Sequence, residues 1–252
     1  MTKTKNTETV TPELSVITIT YNERENIRLF ITVVSRILSD AKINGEIIVV
    51  DDSSPDGTSE VVLEMKKLFP HVTLIKRPGK MGIGSAYFTG FNAARGKVVA
   101  FLDADLSHAP EVLPELYDLA TKGEIAFGSR YLGNTKFETD FAHRMGTYLL
   151  NFWIRLWLNT GVYDHTNGYI VAKKEILDSI INYGKLKNLH PFDHILYGIT
   201  IAAIAKKLSL PRTERKATYN KRQHGETNLP FLWGIRVVLE DMMYTLRVRS
   251  KL

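Results

Sequence analysis

Five short apolar runs limit what this chain can fold into. They are residues 14–20, 46–50, 72–76, 97–102 and 124–127, rich in Val, Ile, Leu and Phe. Each has the length of a strand, and helix-like segments lie between them. Ile27, Phe30, Ile31, Val34, Ile37 and Leu38 recur at helical spacing. Thr58 is placed to cap a helix that turns Val61, Val62, Met65 and Leu68 inward. Further helices are expected over residues 84–94 and after Pro110. Strands alternating with helices predict right-handed βαβ units, hence an α/β chain with a mainly parallel sheet covered on both faces.

In open α/β sheets, ligands bind beyond the carboxyl ends of the strands. The five endings are Tyr21-Asn22-Glu23-Arg24-Glu25-Asn26, Asp51 to Thr58, Arg77 to Gly84, Asp103-Ala104-Asp105-Leu106-Ser107-His108, and Gly128-Ser129-Arg130-Tyr131. All are polar, which a purely structural sheet does not require. Asp103 and Asp105 stand out, because Mg²⁺ in nucleotide sites usually needs only one or two carboxylates plus substrate phosphates. Gly82-x-Gly84 does not complete a dinucleotide fingerprint.

At 252 residues the chain fits one large domain, expected over residues 13–228. The polar first dozen residues lack the apolar stretch of a signal peptide, and 1–12 is expected to be a disordered tail. There is no cysteine, which excludes disulfides and thiolate metal sites. The net charge of +6 favours anionic partners. No apolar run reaches the roughly 18–20 residues that span a bilayer. The nearest, residues 149–158, is broken by Asn151 and Arg155. The segment 147–158, with Tyr148, Phe152, Trp153 and Trp157 beside Arg155, fits either an interfacial helix or a core helix. Residues 229–252 are expected to form an amphipathic helix, against a membrane or a second copy of the chain. The basic run within 206–222 fits a solvated face or a patch that draws anionic lipid headgroups.

Taken together, the five endings resemble those of the family 2 glycosyltransferases of the GT-A (Rossmann-like) fold, most closely the dolichol-phosphate/polyprenol-phosphate mannose synthase branch. The likeness runs from about residue 13 to 230. It implies that Tyr21 and Glu23 line the nucleotide base, Asp52 faces base or ribose, and Lys80 contacts the base end. Asp103 approaches ribose or sugar, and Asp103 with Asp105 holds Mg²⁺ or Mn²⁺ against the diphosphate. Ser129, Arg130 and Arg144 face the acceptor phosphate, and Arg222 a donor phosphate, with Arg130 also counted among the catalytic residues. Inverting transfer of mannose from GDP-mannose to a polyprenyl or dolichyl phosphate follows as the expected reaction. The same chemistry with UDP-glucose or another nucleotide sugar is the alternative, and a non-catalytic nucleotide-sugar or lipid-binding protein the remote one. Transfer to a sugar hydroxyl would want a carboxylate base near Asp193. The resemblance implies a cytoplasmic protein bound peripherally to a membrane, with no nucleic-acid partner and an oligomer possible.

Two positions depart from the branch pattern. Asp164-His165-Thr166-Asn167-Gly168-Tyr169-Ile170 carries Ile where Arg is usual, and Arg222 to Asn228 ends without the usual Lys. A phosphate monoester is already largely ionised near neutrality, with a second pKa of about 6. It needs no strong base, so His108 is not required as one.

Overall fold

The computed structural model describes residues 11–133, 141–220 and 231–252. Arg222, the 222–228 segment and the first ten residues of the expected tail lie outside that range. The elements run β1 (Leu14–Thr20), α1 (Arg24–Asp40), β2 (Gly45–Asp51), α2 (Thr58–Leu68), β3 (Val72–Lys76), α3 (Ile83–Ala93), β4 (Val98–Phe101), α4 (Leu113–Thr121) and β5 (Ile125–Ser129). Then follow α5 (Phe141–Leu158), β6 (Ile170–Lys173), α6 (Lys174–Leu186), α7 (Tyr197–Lys207), β7 (Arg212–Lys216) and α8 (Phe231–Lys251).

The strands form one seven-stranded sheet in the order β3-β2-β1-β4-β6-β5-β7. Only β6 runs against its neighbours, β4 and β5. The first five strands therefore all end at one edge, and their polar loops gather there. Successive residues feed opposite cores, as the period of two requires. Val16, Ile47 and Val49 pack with Phe30, Ile31, Val34 and Val62 of α1 and α2. Ile17, Ile48 and Val50 pack with Tyr87 and Phe91 of α3 and Ile201 of α7 on the other face. Phe30 is wholly buried, and truncating such a side chain to Ala costs about 3–5 kcal/mol. A third cluster joins α5, α7 and α8 through Leu150, Ile154, Ile199 and Val248.

Four expectations change. Leu68, expected to turn inward with Val61, Val62 and Met65, is 70% exposed at the end of α2. Thr58 is the first residue of α2, with Gly57 at the cap in a left-handed conformation (φ 88°). The carboxylate serving this end is Asp56, which accepts from Thr58 N at 3.0 Å and from Arg24 N at 3.1 Å. One side chain thereby satisfies backbone donors of both α1 and α2. Burial would raise the Asp56 pKa, but the Thr58 hydroxyl, donating at 2.6 Å, and then these backbone N–H groups outweigh it and lower it. Part of the basic run is also not a free solvated face. Arg212–Lys216 is strand β7, paired in parallel with β5, and charge on an edge strand discourages pairing with another chain. Finally, Ile170 opens β6 opposite Phe101 and is wholly buried. An apolar residue at that position fits the core.

Candidate active site

The site begins where β1 and β2 stop. Wholly buried Asp51 accepts from Thr20 Oγ1 at 2.8 Å, Ser54 N at 3.0 Å and Ser59 Oγ at 2.8 Å. It organises the loop from within. Asp52, next along, is clasped by Arg77 at 2.5 Å through Nε and 2.7 Å through Nη2. Arg77 is 6% exposed and also donates to Ser85 Oγ at 2.8 Å and to the Gly82 carbonyl at 3.3 Å. This pair braces the glycine-rich loop against β2. Sequence reading passed over Arg77, although an Arg closing the third apolar run just before Pro78-Gly79 was a visible signal.

That braced loop carries Lys80, whose ammonium lies 3.7 Å from the centroid of the Tyr21 ring. Tyr21 and Lys80, both assigned to the base end, therefore meet. Glu23 stands at the start of α1, where its carboxylate accepts from Asn26 Nδ2 at 2.6 Å. Gly84 has a packing role. A Cβ there would collide with the carbonyl of Phe192, so the glycine lets α3 pack against the 3₁₀ turn Pro191–Asp193.

The carboxylate pair follows β4. The Asp103 side chain is 44% exposed, and its Oδ1 accepts from Tyr87 Oη at 2.8 Å. Asp105 is 7% exposed, and its Oδ1 accepts from Ser107 N at 3.0 Å. His108 is buried, stacks on Tyr169 at 5.4 Å, and accepts the Asp103 backbone N–H at Nδ1. Its Nε2 lies 3.5 Å from Asp103 Oδ2. His108 thus orders the loop from within. Among the described residues, no group of three or more His, Cys, Asp or Glu could enclose a metal. The donor set of Asp103 and Asp105 nevertheless fits a hard divalent ion that takes its other oxygens from a diphosphate and water.

At the end of β5, Ser129 is wholly buried and Arg130 is 6% exposed. The Arg130 guanidinium turns inward. Its Nε and Nη2 each donate to Asp164 at 2.8 Å, and its backbone N–H donates to the same carboxylate at 2.9 Å. Burial would lower the Arg130 pKa, but the Asp164 carboxylate raises it. Glu214 of β7 holds the Asp164 loop through Tyr163 N at 2.8 Å and Asp164 N at 2.9 Å. Burial pushes the Glu214 pKa up. Arg144 is not part of this network. It sits exposed on the first turns of α5, 6.0 Å from the Phe141 ring.

Helix α5 packs one face on protein and leaves another exposed. Trp153 donates to the Met242 carbonyl of α8 at 3.2 Å, and Trp157 lies under Arg249 at 4.7 Å. The tryptophans therefore face protein. Met145, Tyr148, Leu149, Phe152 and Leu156 form the opposite stripe, each 44–62% exposed. Tyr148 meets Tyr131 edge-on at 5.3 Å, joining this stripe to the strand end that carries Arg130.

A mainly parallel sheet with paired acids at the end of a central strand defines the GT-A class of nucleotide-sugar folds. Solved structures share that fold. Glucosyl-3-phosphoglycerate synthase from Mycobacterium tuberculosis, in complex with Mn²⁺, UDP and glucosyl-3-phosphoglycerate, matches 94% of this chain and 80% of its own, with a TM-score of 0.61 and 19% identity. The mannosyltransferase PcManGT from Pyrobaculum calidifontis, in complex with GDP-Man and Mn²⁺, matches 96% and 74%, with a TM-score of 0.54 and 19% identity.

Residues 15–181 match the model of Glycosyl transferase family 2, and the chain belongs to that family. It is 34% identical over 223 residues to a dolichol-phosphate mannosyltransferase of Pyrococcus furiosus, covering 86% of this chain and 59% of that one. It is 38% identical over 171 residues to a polyprenol monophosphomannose synthase of Mycolicibacterium smegmatis, covering 66% of this chain and 63% of that one. The chain thus spans about three-fifths of the length of these curated relatives.

Proposed function

We propose that the chain transfers mannose from GDP-mannose to a polyprenyl phosphate at a membrane surface, inverting the anomeric carbon. The observation that carries this reading is one sheet edge holding the Asp103/Asp105 pair and the Tyr21/Lys80 contact, with the exposed apolar stripe of α5 joined to it through Tyr131. The names of the two curated relatives support the donor and acceptor class.

Tyr21 and Lys80 receive the base, with Glu23 beside them, and the Asp52–Arg77 pair keeps their loop in place. Asp103 and Asp105 would hold Mg²⁺ or Mn²⁺, which when bound would supply Lewis acidity to the departing diphosphate. The acceptor phosphate arrives ionised, so the protein's remaining work is to position it and to screen its charge. Arg144 offers an exposed guanidinium for that, and a planar fork suits phosphate oxygens. Ser129 and Arg130 shape the strand end beneath it, Arg130 through its clasp on Asp164. In this reading the α5 stripe lies in the headgroup region with the lipid tail, as interfacial helices do. Among the described residues no helix is long and apolar enough to cross a membrane.

A second reading, transfer to a sugar hydroxyl, has one observation in its favour. Asp193 is exposed and lines a groove of about 490 Å³ with Gly82, Gly84 and Ser85. The test is a panel of nucleotide sugars with Mn²⁺, offered polyprenyl phosphate or a free sugar as acceptor. Mannosyl-lipid from GDP-mannose supports the proposal. Glucosyl-lipid from UDP-glucose replaces the donor and keeps the chemistry. Product only on the free sugar favours the second reading, with Asp193 the candidate base.

A further inference from the structure

Tyr87 lies on α3, 1% exposed, in a cluster of rings. It meets Phe101 edge-on at 5.5 Å and Tyr197 at 5.1 Å. A phenylalanine would fill that space as well, so the hydroxyl needs its own reason. It has two acceptors in reach, Asp103 Oδ1 at 2.8 Å and the Leu102 carbonyl at 3.2 Å. One proton serves one acceptor at a time, and the shorter, charge-assisted bond to the carboxylate is the stronger. The Tyr197 hydroxyl donates its own proton to the Gly168 carbonyl at 2.6 Å and also lies within hydrogen-bonding reach of the Tyr87 hydroxyl. A Cβ on Gly168 would stand 2.7 Å from the Tyr197 hydroxyl.

We propose that Tyr87 is a positioning residue, which fixes the Asp103 carboxylate for the divalent cation and ties it to the loop that holds the base. Tyr87 is one turn into α3, and the loop leading into that helix carries Lys80 and is clamped by Arg77. The base-end contact and the metal carboxylate are thereby mounted on a single rigid helix. Groups hydrogen-bonded to metal ligands orient them, and losing one typically costs 10–100-fold in metal affinity. The proposal rests on the reading of Asp103 as a metal ligand.

The experiment is a Mn²⁺ titration in the presence of GDP, followed by electron paramagnetic resonance, on wild type, Y87F, D103N, Y87F/D103N and Y197F. The expected result is Mn²⁺ binding weakened about tenfold or more in Y87F and Y87F/D103N no weaker than D103N. Y197F, which removes the neighbouring buried hydroxyl, stays within about twofold of wild type. Wild-type affinity in Y87F, beside a weakened D103N, overturns the role of Tyr87 alone. Wild-type affinity in D103N overturns the metal reading of Asp103 and the proposal with it. An equal loss from Y87F with and without the Asp103 carboxylate shows a merely structural hydroxyl and also overturns it. Should Y87F not fold, ultraviolet resonance Raman on the unmutated protein decides. Mn²⁺ with GDP shifts a buried tyrosine hydroxyl band in wild type but not in D103N, and no shift in wild type overturns the proposal.

Discussion

Removing the Asp164 carboxylate isolates the contribution of the strand-end network. The Arg130 and Asp164 side chains are 4% and 0% exposed. In Asp164→Ala the guanidinium keeps its charge and its bond to Thr166 Oγ1 at 2.5 Å but loses both carboxylate oxygens at 2.8 Å, and the Arg130 N–H loses its own acceptor at 2.9 Å. Little water reaches the site to replace them. Breaking a buried pair by deleting one partner costs about 3–5 kcal/mol. At about 2–4 °C per kcal/mol for a domain of this size, the melting temperature falls by roughly 6–20 °C. Replacing both partners by apolar residues is far milder, because no unpaired charge is left behind. Urea unfolding at constant slope, checked by calorimetry, should therefore rank wild type above Arg130→Met/Asp164→Leu, and that double variant above Asp164→Ala. A loss below about 1 kcal/mol in Asp164→Ala would refute the reasoning, since a buried pair cannot be broken so cheaply. A double variant less stable than the single one would refute it equally.

Two buried groups should leave opposite marks on stability against pH. Burial, outweighing the nearby Asp164 carboxylate, lowers the His165 pKa from 6.5 to about 4. The unfolded chain takes up that proton first, so the contribution of His165 is present above pH 6.5 and is lost as pH falls towards 4. The loss is up to about 3 kcal/mol, and urea midpoints for His165→Gln should show a shallower decline over that window. Asp241 behaves in the reverse sense. Burial, with Glu240 adding repulsion, raises its pKa from 3.8 to about 7, so its contribution is present below pH 3.8 and lost as pH rises to 7. Asp241→Asn should thus gain on wild type at pH 8 relative to pH 4 in the same assay. On α5, Tyr148→Ser/Phe152→Ser/Leu156→Ser should sediment with anionic lipid vesicles at least about tenfold less than wild type, given ~25 cal/mol per Å² of apolar area. Unchanged sedimentation would move the membrane contact to another face.

Much of the fold was legible because buried parallel strands are apolar throughout, and the five runs announced them. Strand β6 was hidden. Its four residues, Ile170 to Lys173, follow directly on a polar motif and lead straight into α6. Ile170 looked like a departure from a family pattern, when its immediate role is to pack opposite Phe101. Strand β7 was hidden for the opposite reason, since Arg-Thr-Glu-Arg-Lys has an edge strand's charge and no apolar alternation. At the site, residue types at the strand ends were readable, but their pairings were not. Sequence distance gives no sign that Arg130 turns to Asp164, that Arg77 clasps Asp52, or that Tyr87 reaches Asp103. Those contacts join segments 16 to 34 residues apart. Likewise, the tryptophans of α5 invited a membrane reading, yet helical geometry turns them to α8 and leaves Tyr148, Leu149 and Phe152 outside.

The central claim is that Asp103 and Asp105 support a departing nucleoside diphosphate while sugar passes to a lipid phosphate. It is tested most directly by following labelled mannose from GDP-mannose into polyprenyl phosphate, with wild type and Asp105→Asn, before and after EDTA. The account predicts a β-linked mannosyl-phospholipid from the α-linked donor. It predicts a rate at least about a hundredfold lower in Asp105→Asn and under EDTA, the scale expected for several kcal/mol of lost charge stabilisation. Full turnover by Asp105→Asn, or an α-linked product, would contradict it.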